Sequence, residues 1–385
     1  MTKKEQYIEW IKTQHKLPLF MQAWWLDAVC AGKEWDVLLV EDRIQTADAD
    51  RVQTVSGSNQ VEVGVTSWEA SDEHPMSTRS ASDEHPMEAA EKEESGESRV
   101  ESQEPRVESG ESIVAAMPYL FRKKWWMRWI AMPQMTQIGG IWLDENREFS
   151  TEELASVCEE INRQLEAMKL HYVYEQYPVG SPCVEQMKAL GFKAKERITY
   201  RIEDLRDLDK VIDKFSKNKK RQLQKSLSLH AEGGMTAEEF YAFHQACLAA
   251  KKKKISYSRE FLLVLEQKAH RLKQSQILTI RNADKMVYAA AFLVWDKQRM
   301  YYLIPAIHPD YQESGAGALL VLEAIKSARE KGVSFDFEGS MIRGVAQHYK
   351  QFGSTPYKYY SIEKYYKWGF RFALFWNWLR NLKYN

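Results

Sequence analysis

The segment Gln312-Glu313-Ser314-Gly315-Ala316-Gly317 stands between an apolar run, MYYLIPAIHP, and a helical stretch opening at Ala316. Glycines at a strand-to-helix junction let the backbone approach a ligand closely, and free N–H groups at a helix start can hold a pyrophosphate. The plainer alternative is a glycine turn that ends one element and caps the next. Farther along, Asp336 and Glu338 lie two apart in the strand-like FDFEG and therefore share one face, with Phe335 and Phe337 on the other. A carboxylate there can take a proton directly or through a water; alternatively, an acidic strand end pairs with a neighbouring Lys or Arg. His348 and Glu175 are weaker candidates for the same role. The nine histidines show no metal or triad spacing, and Cys30, Cys158, Cys183 and Cys247 form no CxxC, so neither a zinc site nor a disulfide framework is expected.

Basic residues cluster in Lys217–Lys225 (KNKKRQLQK) and in Lys251–Lys254. Solvated helix faces explain such runs; the alternative is a positive groove, with Lys217, Lys220 and Arg221 holding an anionic substrate. Net charge sharpens the point. The 54 basic residues balance 54 acidic ones over the chain, but fourteen acidic residues against four basic fall between Glu69 and Ser112, so the rest is basic by ten charges. A basic body favours an anionic partner such as a nucleotide, RNA or a phospholipid surface.

The elements that must position these residues repeat. A helical stretch at Thr151–Leu170, a strand HYVYEQYP, a short helix ending in MKALGF and a strand AKERITYRIE are matched later by Ala316–Lys331, VSFDFEGS, a helix ending in YKQFGS, and PYKYYSIEKY. Helices alternating with apolar strands predict mixed α/β sheets covered on both faces. Apolar residues at 44% and thirteen Trp supply the cores. The expected organisation is a first domain over 1–203 interrupted by an insert at 45–112, a second over 204–360, and an aromatic and basic tail over 361–385 that packs back on the first. The insert repeats ASDEHPM and is rich in Glu and Ser, too polar to offset chain entropy. Its flanks, WDVLLVED and IVAAMPYLF, read as two strands of an interrupted hairpin. No apolar leader and no run of about 18 apolar residues occurs, so a cytoplasmic protein is expected. Aromatic and basic residues in KKWWMRW and the tail add a peripheral contact at the inner face of a membrane as an alternative to core packing.

Together, Q-x-x-G-x-G at Gln312–Gly317 and Tyr349-Lys350-Gln351-Phe352-Gly353 after FDFEG resemble the GNAT N-acetyltransferase superfamily. The duplication and the segment Ser216–Leu223 look like its tandem-domain FemAB/FemX-like group. The resemblance implies an α+β fold of two tandem GNAT-like domains, each a mixed sheet flanked by helices. It implies an acyl donor, acetyl-CoA or another acyl-CoA, with its pyrophosphate on Gln312, Ser314, Gly315, Ala316 and Gly317. It further implies Tyr349 as the group that protonates the leaving thiolate and Lys350 as the charge that stabilises the transition state; a cation beside a developing oxyanion does that electrostatically. Asp336 or Glu338 would free the acceptor amine. Ser354 departs from the family, which usually has Phe there. In the first copy Met187 replaces Tyr349 and no Q-x-x-G-x-G precedes it, so that copy is expected to be degenerate, shaping substrate through residues such as Glu175.

Three functions follow from these residues. The preferred one is N-acyl transfer from an acyl-CoA-like donor to an amine. The second is Fem-like transfer from aminoacyl-tRNA to a peptidoglycan precursor. The third is a binding module that has kept the fold and lost catalysis. The acceptor is either a small molecule or a cell-wall-precursor amine, and tRNA enters as a partner under the second reading.

Overall fold

The computed structural model describes residues 1–30, 34–42, 112–339, 341–367 and 370. The insert, with its repeats and its two His-Pro pairs, and nearly all of the aromatic tail lie outside the described residues.

In chain order the elements are α1 (Lys3–Trp10), α2 (Ala23–Val29), β1 (Trp35–Glu41), β2 (Ile113–Lys124), β3 (Met127–Ile130), β4 (Trp142–Leu143), α3 (Thr151–Ala167), β5 (Tyr172–Tyr177), α4 (Cys183–Ala189) and β6 (Lys193–Ile202). There follow α5 (Leu208–Asp213), α6 (Lys217–Lys225), β7 (His230–Glu232), α7 (Ala237–Ala250), α8 (Arg259–Arg271), β8 (Ser275–Arg281), β9 (Val287–Trp295) and β10 (Arg299–Ile307). The chain closes with α9 (Ala316–Glu330), β11 (Ser334–Gly339), α10 (Arg343–Lys350) and β12 (Thr355–Tyr365). Local chemistry fixes the helix starts. Ser150 and Glu153 form a reciprocal capping box on α3, Thr236 and Glu239 do so on α7, and Ser216 caps α6.

The strands form one mixed sheet in the order β1-β2-β3-β5-β12-β6-β11-β10-β9-β8-β7, with β4 beside β2. The centre of that order is an exchange. β6, which ends the first copy of the repeat, pairs antiparallel with β11 of the second, while β12, which ends the second, inserts between β5 and β6. Two separate sheets were expected; the copies instead share a continuous one, because each lends its last strand to the other. β12 also runs to Tyr365, so the segment read as a tail from residue 361 begins inside a strand.

Three cores cover the sheet. One packs α3 and α4 against β1, β2 and β5. A second packs α9 against β8 to β11, with Phe335, Phe337 and Phe352 fully buried. Burying each such ring contributes about 1.5–3 kcal/mol. The third joins the N-terminal helices to α7, α8 and the other face of β9 and β10. There Phe20 meets Tyr301 at a ring separation of 4.7 Å, and Asp296 Oδ2 accepts from the Leu19 amide at 2.9 Å. The first forty residues thus bind the later copy as well as their own. The expected hairpin exists: β1 and β2 pair antiparallel from Trp35 opposite Leu120 to Glu41 opposite Ile113, and the Asp42 amide donates to the Ser112 carbonyl at 2.8 Å. All four cysteines are buried and none is in a disulfide.

Candidate active site

β10 and β11 run parallel and pair at only three positions, Arg299 with Ser334, Met300 with Phe335 and Tyr301 with Asp336. Beyond Tyr301, β10 continues against β9 alone, and β11 continues against β6. The two strands therefore part, and what lines the gap decides what the site can do.

At the gap β11 bulges. Its pairing with β6 slips by one residue between Asp336 and Gly339, and Glu338 adopts a positive φ of 62°. Asp336 holds this shape. Its Oδ1 accepts from the Thr199 hydroxyl at 2.6 Å and from the Glu338 amide at 2.8 Å, and its Oδ2 accepts from Arg201 Nε at 2.7 Å. Asp336 is fully buried. Its lone pairs are committed, and removing one partner from a buried pair like this costs roughly 3–5 kcal/mol. Asp336 was expected to share the role of base with Glu338; it is instead the anchor that positions Glu338.

Glu338 is different although only two residues away. Its Oε1 is buried and has no hydrogen-bond partner among the described residues. Burial first, then the charge of Asp336, pushes its carboxyl well above the usual carboxylate range. A carboxyl so placed holds a proton more tightly than an exposed one, and in its ionised form it is a stronger base. Tyr349, on α10, stacks on Phe337 at 4.7 Å. Burial and then the charges of Glu338 and Asp336 raise its phenol, so it stays protonated and can donate. Lys350 follows at the exposed end of α10, with its Nζ 6.0 Å from the Tyr200 ring centre. Ser354, where the family pattern has Phe, is buried and donates to the Tyr349 carbonyl at 2.9 Å, which ties the helix end down.

The glycines of the bend are used for packing within the chain. Gly315 has φ 86° and is buried; a Cβ there would lie 2.0 Å from the Gln222 carbonyl of α6. Its lack of a side chain is used to admit α6. The Ala316 amide is already capped by the Ser314 hydroxyl at 3.1 Å, Ala316 is fully buried, and a Cβ on Gly317 would strike Ile307. Gln312 is exposed on the preceding turn. The expected seat on Gln312, Ser314, Gly315, Ala316 and Gly317 is thus closed on one side by α6.

Sequence reasoning passed over one residue that α6 turns inward. Lys219 is buried, donates to Gln222 Oε1 at 3.0 Å, lies 3.2 Å from His348 Nδ1, and stands 4.7 Å over the Phe352 ring. Burial lowers its amine to about 8, and burial followed by the Lys219 charge lowers His348 to about 4. The signal was present: Phe215, Lys219, Leu223 and Ser226 recur at helical spacing on one face of the segment. The basic residues that were singled out face away. Lys217 and Arg221 are exposed, and Lys220 pairs with Asp213 at 3.3 Å. Glu175 lies in the first copy, buried on β5 beneath Gly139 and Gly140, beside a cavity of 10 Å³, about one water in size. Burial raises its carboxyl to about 8, the Gly140 amide opposing. Its Oε1, like that of Glu338, is buried without a hydrogen-bond partner among the described residues. Among the described residues no group of His, Cys, Asp or Glu is arranged to hold a metal, and no helix is long and apolar enough to cross a membrane.

Comparison with known proteins bears on the fold. A family model described as an acetyltransferase (GNAT) domain matches residues 188–359. The structure is similar to that of FemX, with 14% identity, a TM-score of 0.52, and coverage of 66% of this chain and 85% of that one. It also matches L-PGS from Bacillus licheniformis (12% identity, TM-score 0.42, covering 66% and 81%) and a tandem GNAT protein from the clavulanic acid pathway (11%, 0.42, 67% and 80%). No curated protein matches the sequence. The GNAT fold generally binds acyl-CoA.

Proposed function

We propose that this chain, a member of the GNAT superfamily with a FemX-like fold, transfers an acyl group from an activated ester to an amine. The carrying observation is Glu338: a carboxyl raised by burial, whose buried Oε1 has no hydrogen-bond partner among the described residues, held at a strand bulge near the Tyr349 phenol. In the reaction Glu338 takes a proton from the acceptor ammonium, and the free amine attacks the donor carbonyl carbon. Lys350 stabilises the oxyanion that forms. As the tetrahedral intermediate collapses, the bond to the leaving oxygen breaks and Tyr349 gives that oxygen a proton; the attacking nitrogen gives up its second proton, which restores the Tyr349 phenol, a neutral amide remains, and Glu338 releases its proton to solvent. Asp336 keeps Glu338 in place throughout.

For the donor, the contact between Gly315 and Gln222 supports an aminoacyl ester on RNA over an acyl-CoA. The pyrophosphate seat is backed by α6, whose outer face presents Lys217, Lys220, Arg221 and Lys225 to a polyanion. The GNAT family match, the Q-x-x-G-x-G segment and the parting of β10 and β11 favour a thioester of coenzyme A.

Incubating the protein with a labelled aminoacyl-tRNA pool and an amine mixture is expected to give amide product that acetyl-CoA does not. Glu338→Gln should lower the rate about 10²–10⁴-fold with an unchanged melting temperature. Saturable acetyl-CoA binding with transfer, and none from tRNA, would reverse the choice of donor; full activity in Glu338→Gln would remove the base.

A further inference from the structure

Beside Glu338 the chain gathers polar groups and leaves several unpaired. Gly339 marks the place. It is exposed, yet a Cβ on it would lie 2.8 Å from the Tyr359 hydroxyl, 2.8 Å from the Ile198 carbonyl and 3.1 Å from Gln137 Nε2. Tyr359 on β12 stands directly opposite Arg197 on β6, whose Nη2 donates to the Tyr174 hydroxyl at 2.8 Å. Gln137 comes from the loop between β3 and β4 and is only 9% exposed.

The orientation of Gln137 is fixed by its neighbours. The Thr199 hydroxyl spends its proton on Asp336, so toward Gln137 it can only accept. Gln137 must therefore turn its amide nitrogen to Thr199, at 3.5 Å, and to Tyr359. Its Oε1 is left buried without a partner among the described residues, and so are Glu338 Oε1 and Arg197 Nε. Buried polar atoms are rarely left so, because each loses its bonds to water and gains nothing.

We infer that these groups form the acceptor subsite, and that it takes a primary amine with a carbonyl or carboxylate oxygen on the adjacent carbon, as at the amino end of an amino acid or peptide. An amine brings N–H donors for the two free acceptors, Gln137 Oε1 and Glu338 Oε1. Arg197 Nε is a free donor and needs an oxygen, which a simple alkylamine lacks. Both demands are met by a ligand that carries the two groups together. The inference rests on the acyl-transfer reading for its meaning, but its test does not.

Calorimetric titration of the full chain, without donor, with glycinamide, glycine and ethylamine separates the possibilities. Glycinamide and glycine are expected to bind saturably, and ethylamine at least ~10-fold more weakly, since a site built to bond an oxygen rejects an analogue without one. Arg197→Gln, with folding followed by melting, should bring the three probes level. Equal binding of ethylamine by the unaltered protein, unchanged discrimination in Arg197→Gln, or no binding of any probe at millimolar concentration would overturn the inference. If Arg197→Gln does not fold, the probe comparison on the unaltered chain still decides. Amine discrimination without any transfer would overturn the proposed reaction and leave this subsite standing.

Discussion

Three carboxylates in this chain are set apart by their surroundings. Asp336 is bonded at both oxygens and fixes a bulge, whereas Glu338 and Glu175 each keep a buried Oε1 without a partner among the described residues and a raised carboxyl, that of Glu175 at about 8. For Glu175 this has a consequence for stability. The unfolded carboxyl titrates near 4.5, so between about 4.5 and 8 the folded state holds the extra proton. Native stability from this group is complete below 4.5 and is lost as pH rises to 8, by up to about 1.4 kcal/mol per pH unit. Glu175→Gln should therefore melt like the unaltered protein at acid pH and at a higher temperature at pH 8. Parallel melting curves across that range would show that Glu175 is not held neutral.

At the scale of the element, α6 carries the argument for the proposed donor. Its inner face presents Lys219 to His348, Gln222 and Phe352, and its backbone meets Gly315. Burial has lowered Lys219 to about 8 from 10.5. Below pH 8 the folded state must hold a buried ammonium, and above 10.5 both states are neutral. The cost is thus present at low pH and is relieved as pH rises between those values. Lys219→Met is expected to raise the melting temperature at pH 7, with the gain shrinking toward pH 10. A gain that does not change with pH would assign it to packing alone. The composition of KNKKRQLQK reads as a solvated helix; only its spacing points inward, and only at Lys219.

Across the whole molecule, the exchange of β6 and β12 makes one sheet out of two repeats, and the N-terminal helices clamp both. The insert enters and leaves where Asp42 bonds Ser112 at 2.8 Å. Replacing residues 43–111 by a two-residue turn should leave stability equal or slightly higher, because a shorter loop costs less entropy to close. A fall of more than about 0.5 kcal/mol in chemical denaturation would show that the insert contributes to the fold.

The sequence by itself determined the repeated order of helices and strands, the hairpin around the insert, and the placement of Glu338 and Tyr349 near each other, since all of these depend on local periodicity and on residues close along the chain. Only the tertiary structure decided which carboxylate is free and what Gly315 admits. Thr199 and Arg201 reach Asp336 from a strand more than a hundred residues away, and Gln222 reaches Gly315 from another helix. Burial and hydrogen-bond satisfaction are set by such distant partners, and no local pattern records them.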